Sequence, residues 1–241
     1  MPTRREGEKK LRSTDHGILR ARPGRLRRAT QPGLHPLLLG EKRDGLLLIP
    51  ESYRSDKPAP LVVTLHGAGG NAHDALNPLR HLAEERGLVL LAPASRGLTW
   101  DVIEGKLGPD VDFLDHALAK AFQCCSIDPK RVAIEGFSDG ASYALSLGIT
   151  NAELFTHVLA FSPGFSAPPG PRGNPRIFVS HGKRDEILPV VRCAHRIVRI
   201  LESQQYDVTY TEFDGGHSVP REIARAAVDW FTGVERRKTS S

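Results

Sequence analysis

Ser138 stands between two glycines in Gly136-Phe137-Ser138-Asp139-Gly140, a G-x-S-x-G pentapeptide. The run Arg131 to Glu135 leads into it, and a helix-like run, Ala141 to Leu147, follows. Strand, sharp turn, helix is the setting that holds a serine hydroxyl clear of a sheet edge. A serine hydroxyl is a poor nucleophile at neutral pH and needs a base beside it. By itself the pentapeptide fits a second role. Ser138 at a helix start is an N-cap candidate, with Asp139 well placed at the positive helix end.

Partners for such a serine stand at other strand ends. Asp185 follows the run Ile177–Ser180, and His217 follows Val208–Phe213 in Asp214-Gly215-Gly216-His217. His217 is then the base that takes the serine proton and returns it to the leaving group. Asp185 is the acid that fixes the imidazole tautomer and stabilises the imidazolium. Glu186, Asp207 and Asp214 are rival acids. Asp185 is preferred because it has its own strand-end loop in the right chain position. His181 also lies at a strand end, but it precedes Asp185 and reverses the order.

A fourth strand end, His66-Gly67-Ala68-Gly69-Gly70, follows Leu61–Leu65. Acyl transfer develops an oxyanion that needs donors already in place. The N–H groups of Ala68 and Asp139 are the expected pair, with His66 and Gly67 shaping the loop at the substrate's edge.

These residues need a scaffold that gathers strand ends. Apolar runs of strand length recur at 45–49, 61–65, 88–92, 132–137, 157–161, 177–180 and 208–213. Helical spacing of apolar residues occupies 72–86, 111–125, 138–150, 190–202 and 222–231. Alternation of this kind predicts an α/β protein, a mostly parallel sheet covered by helices on both faces. Ligands in such sheets bind outside the carboxyl ends of the strands.

The 241 residues suffice for one large domain. Residues 1–35 read as a basic, extended or flexible arm, 36–233 as one catalytic domain and 234–241 as a polar tail. The net charge of +5 sits in the arm: residues 1–33 hold ten Lys or Arg against three Asp or Glu. The body is slightly acidic, so nucleic acid is not an expected partner. No apolar run has the length of a membrane span, and no signal-like segment follows the basic start. Three cysteines, two adjacent, suit neither a disulfide framework nor a zinc site. A reducing, cytoplasmic setting is expected, with no metal and a monomer or homodimer.

Taken together, Leu65-His66-Gly67-Ala68-Gly69-Gly70, the G-x-S-x-G run, His181-Gly182-Lys183-Arg184-Asp185 and Gly215-Gly216-His217 resemble the carboxylesterase/phospholipase branch of the α/β-hydrolases. The similarity extends to serine esterases related to polyhydroxybutyrate depolymerases and feruloyl esterases, over roughly residues 43–233. It implies the α/β-hydrolase fold and cofactor-free hydrolysis of small carboxylic esters through an acyl-enzyme. A thioesterase or lysophospholipase with the same triad is the alternative, and a binding protein on the hydrolase scaffold the non-catalytic one. Two positions depart from the likeness. Asp139 stands where Gln is common, placing a carboxylate near the acyl site, and Ala141 stands where a second glycine is usual. For the pocket, Trp100, Phe165, Ile187 and Leu188 in the long loops are expected to line a shallow, open acyl site. The alternative for Trp100 and Phe165 is that they plug their loops onto the core.

Overall fold

The computed structural model of the chain describes residues 16–27, 29–105 and 107–234. Eight strands form one sheet: β1 (Gly33–Pro36), β2 (Gly45–Ile49), β3 (Ala59–Leu65), β4 (Val89–Pro93), β5 (Ile127–Phe137), β6 (His157–Phe161), β7 (Arg176–Gly182) and β8 (Val208–Phe213). Their order is β1-β2-β4-β3-β5-β6-β7-β8. Strand β2 runs antiparallel to both its neighbours, β1 and β4, and every other neighbour pair is parallel. This is the α/β-hydrolase fold.

Strand order reverses at β3. Its chain successor β4 lies on one side and β5 on the other. The carboxyl ends of β3 and β5 therefore open a crevice at the switch point, where α/β sheets bind ligands.

Helices α1 (Ala72–Leu76), α2 (Arg80–Arg86) and α6 (Arg221–Thr232) cover one face, packing on Val62, Leu90, Ala133, Leu159 and Phe178. Helices α3 (Pro109–Cys124), α4 (Asp139–Thr150) and α5 (Ala194–Ser203) cover the other, packing on Val63, Leu91, Ile134, Val158 and Val179. The central strands β3 and β4 are buried at every position. Their near-continuous apolar runs are what burial on both faces requires.

Three elements differ from the expectation. The helix over 72–86 is two helices, because Pro78 offers no N–H and its ring obstructs the preceding turn. The helix expected from Val190 begins at Ala194, after a turn led by Pro189. Strand β1 begins inside the segment read as an arm and ends at Pro36, one residue beyond it.

That segment is also tied down upstream of β1. Leu19 is buried, its N–H donates to Asn151 Oδ1 at 2.8 Å, and the Ala21 N–H donates to Asp115 Oδ1 at 2.8 Å. Residues 1–15 and 235–241 of the expected arm and tail lie outside the described residues. Cys124, Cys125 and Cys193 are free thiols. Among the described residues, no helix is long and apolar enough to cross a membrane.

Candidate active site

Elbow geometry begins with two glycines that touch. A Cβ on Gly136 would overlap the carbonyl of Gly140. A Cβ on Gly140 would overlap the Leu65 carbonyl oxygen and lie 2.6 Å from that of His66. Only hydrogen at both positions lets β5 fold back into α4 and lets α4 start against the end of β3. Between them Ser138 takes φ 57° and ψ −118°, a conformation that side chains rarely adopt. Such strain costs about 1–3 kcal/mol and persists only where the surroundings enforce it. Here the Ser138 N–H donates to the Phe161 carbonyl at 2.9 Å, tying the elbow to β6.

Ser138, His217 and Asp185, placed by sequence at three strand ends, meet in a continuous chain. The Ser138 hydroxyl lies 2.9 Å from His217 Nε2. His217 Nδ1 lies 2.6 Å from Asp185 Oδ2. A ring protonated on Nδ1 donates to Asp185 and accepts from the serine. Asp185 Oδ1 accepts the N–H groups of Ile187 at 3.0 Å and Leu188 at 2.8 Å. Burial alone would raise the Asp185 carboxyl. The Leu188 N–H and the His217 ring outweigh that, and the group titrates below the usual carboxylate value. Ser138 keeps 9% of its surface and the His217 side chain 11%, enough for a ligand to reach both.

Two rival residues also find places. Asp214 pairs outward with Arg184. His181, fully buried, stands behind the acid: its Nε2 is 2.6 Å from the Leu188 carbonyl and 3.3 Å from Asp185 Oδ2. Neutral imidazole fits that place, since burial lowers its pKa.

The glycine loop after β3 is held from behind. His66 is buried, so it does not touch a substrate. Its Nδ1 bonds the Gly67 carbonyl at 2.7 Å and its Nε2 accepts the Ser95 N–H at 3.0 Å, which sets the tautomer. Desolvation keeps it neutral by lowering its pKa. Arg43 clamps the same loop, donating to the carbonyls of Gly70 at 2.6 Å and Ser95 at 2.7 Å. Gly67 packs on the elbow; a Cβ there would lie 3.5 Å from that of Ser138. Ala68 is exposed. Among the described residues, no acceptor takes the N–H of Ala68 or that of Asp139.

The loop residues correct the expected pocket. Trp100 is 1% exposed, donates to the His66 carbonyl at 2.9 Å and stacks on Tyr143. It is a support beneath the glycine loop, because its indole N–H finds its partner inward. Phe165 is half-buried in a separate crevice with Arg192, Arg196 and Ile200. Its loop is pinned there because Ser142 Oγ accepts the Gly164 N–H at 3.0 Å and Ser146 Oγ accepts the Ala167 N–H at 3.0 Å. Leu188 packs beside Gly164. Ile187 is 69% exposed.

Sequence reading missed Leu98, Thr99 and Arg43. Leu98 is 79% exposed, and its carbonyl accepts the Gly69 N–H at 2.7 Å. Thr99 bonds Asp139. No local pattern marks any of the three. Only the fold of the loop after β4 brings them to the elbow. His181 carried a readable signal, an imidazole four residues before the acid on a buried strand.

A nucleophile, a base, an orienting acid and two free N–H groups are the parts of acyl transfer. The profile of the phospholipase/carboxylesterase family matches residues 111–232, a span holding all three side chains. A protein named "Probable feruloyl esterase C" from Aspergillus oryzae is 27% identical over 165 residues, 65% of this chain and 59% of its own length. Feruloyl esterase C of Emericella nidulans is 27% identical over 188 residues, 73% of this chain and 68% of that protein. The chain thus spans about three fifths to two thirds of the length of these relatives. S-formylglutathione hydrolase (FrmB) from Staphylococcus aureus shares the fold with a TM-score of 0.68 and 15% identity, over 87% of this chain and 100% of that one.

Proposed function

The chain belongs to the phospholipase/carboxylesterase family, and from that premise we propose that it is a serine carboxylesterase acting on small or short-chain esters through an acyl-enzyme. The observation that carries this reading is the unbroken Ser138–His217–Asp185 hydrogen-bond chain at the sheet's switch point.

In the proposed cycle, Ser138 Oγ attacks the ester carbonyl carbon while His217 Nε2 takes its proton. Asp185 balances the imidazolium. The carbonyl oxygen becomes an oxyanion held by the N–H groups of Ala68 and Asp139. Losing one such donor costs about 3 kcal/mol of barrier. His217 then protonates the departing alcohol oxygen, the carbon–oxygen bond breaks, and Ser138 is left acylated. Water repeats the steps in reverse, with His217 as base again, and releases the acid. The preference for small acyl groups is supported by the bounding residues. Leu98, whose carbonyl takes the Gly69 N–H, and Ile187 and Leu188, whose N–H groups bond Asp185, stand on the loops beside the triad and the glycine turn.

Ser138→Ala is expected to abolish 4-nitrophenyl acetate hydrolysis and fluorophosphonate labelling while the circular dichroism spectrum is retained. An unchanged rate in a folded variant would overturn the assignment.

A further inference from the structure

An open cleft of about 770 Å³ lies beside His217. Phe137 and Val219 give it an apolar wall, and the Phe137 ring sits 4.7 Å from the His217 ring, centre to centre. Its other walls come from the α1–α2 connection and the start of α6, which bring Asp74, Arg80, His81 and Arg221 to the rim.

The charges at that rim are not balanced. Arg80 and Arg221 are both exposed, and neither has an ion-pair partner among the described residues. Each is the first residue of its helix, where the helix dipole disfavours a cation. Arg225, one turn further along α6, is neutralised by Glu85. Asp74 is engaged too: its Oδ2 accepts the Asn71 N–H at 3.0 Å in a capping box. The pKa of His81 is lowered by partial desolvation and by the neighbouring Arg221 and Arg225. Two guanidinium groups without an ion pair thus face one cleft against the single carboxylate of Asp74, and both helices break a local rule. Rules broken without structural compensation mark functional positions.

The proton route says which part of a substrate occupies the cleft. His217 must reach the leaving-group oxygen, so the alcohol portion lies on the imidazole's side of Ser138. That side is this cleft. Asp139, the carboxylate near the acyl site, does not line it and is held by Thr99.

We propose, resting on the esterase reading above, that this cleft is the leaving-group subsite and that Arg80 and Arg221 select esters whose alcohol portion carries a carboxylate. The planar guanidinium fork matches a carboxylate in two parallel hydrogen bonds. Phe137 and Val219 take the apolar body between that carboxylate and the scissile bond.

The test compares 4-acetoxybenzoate with 4-acetoxybenzamide, which share acyl group and phenol and differ in charge. The proteins are wild type, Arg80→Gln, Arg221→Gln and the double variant; both residues are exposed, so the fold should persist. The kcat/KM ratio of the charged to the neutral ester is expected to fall about fivefold for each single variant and at least about tenfold for the double, mostly through KM. The neutral ester should change less than about twofold, and the wild-type ratio should shrink at high salt. An unchanged ratio in the double variant overturns the subsite and leaves the esterase reading intact. If wild type hydrolyses neither ester, the esterase reading falls. The leaving-group role falls with it, and calorimetric binding of 4-hydroxybenzoate then decides whether Arg80 and Arg221 hold a carboxylate: binding lost in the double variant upholds that contact, and binding equal or absent in both proteins overturns it.

Discussion

Thr99 donates its hydroxyl hydrogen to Asp139 Oδ2 at 2.6 Å. The bond joins the loop after β4 to the first residue of α4, directly behind the elbow. It gives a physical role to the position where this chain carries a carboxylate in place of the glutamine common in its likeness. A carboxylate fastened by a charge-assisted bond is held in one rotamer, and the bond ties the residue proposed as an oxyanion donor to the loop after β4.

Thr99→Val removes the donor and keeps the shape. Hydrogen bonds to charged groups contribute about 1.5–3 kcal/mol; partial exposure puts this one at the low end. A loss of about tenfold in kcat/KM for 4-nitrophenyl acetate is expected, with a smaller effect when Asp139 is already Asn. A double-mutant cycle checks it. Additive effects of the two substitutions would show that the bond does nothing for the site.

What could be read from the sequence follows from where the physics is local. Ser138, Asp185 and His217 stand at strand ends marked by glycines, so their convergence follows from a parallel sheet. Gly136 and Gly140 advertise a tight turn in their own identities. The sequence leaves Trp100 and Phe165 open between wall and plug, because a loop aromatic is one or the other according to its tertiary partners. The His66 carbonyl and the Ser142 hydroxyl are distant in sequence from the loops they hold. Strand β1, a four-residue Gly33-Leu34-His35-Pro36, has too little apolar pattern to announce itself and exists through pairing with β2. Arg80 and Arg221 lie 141 positions apart, and only the fold shows that they share a cleft.

Gly140, like Gly136, is expected to resist any replacement at the elbow. Its Cβ would meet backbone oxygens of Leu65 and His66, which cannot rotate away. Gly140→Ala should cost at least about 3 kcal/mol, at the upper end for overpacking, and eliminate activity. Ala141→Gly, which restores the second glycine of the likeness, should cost only about 1 kcal/mol of helix propensity. Urea denaturation of the two variants checks the contrast; equal losses would refute it.

His181 is expected to act as a positioning residue for Asp185. Its Nε2–H is shared between the Leu188 carbonyl and Asp185 Oδ2, and Leu188 in turn donates to Asp185 Oδ1. His181→Phe should lower kcat about tenfold with KM within about twofold, because ground-state binding does not involve it. Asp185→Asn should cost about 10⁴ in kcat through the wrong tautomer. A loss in His181→Phe confined to KM would place the residue in substrate binding instead.

Glu135 gives the stability of the elbow a pH dependence of its own. It precedes Gly136 in β5, paired in register with Thr64 and Leu159, and it is fully buried. Neither carboxyl oxygen has a hydrogen-bond partner among the described residues. Desolvation therefore raises its pKa well above the ordinary 4.5. From pH 4.5 upward the unfolded chain loses this proton while the folded chain keeps it. The native state binds more protons over that window, so its stability falls as pH rises, by up to about 1.4 kcal/mol per pH unit. Glu135→Gln retains the shape and cannot ionise. Its stability should match wild type near pH 4 and exceed it by a margin that widens toward pH 8. Urea midpoints across that range measure the margin; two parallel curves would mean that the carboxyl is not held neutral in the folded protein.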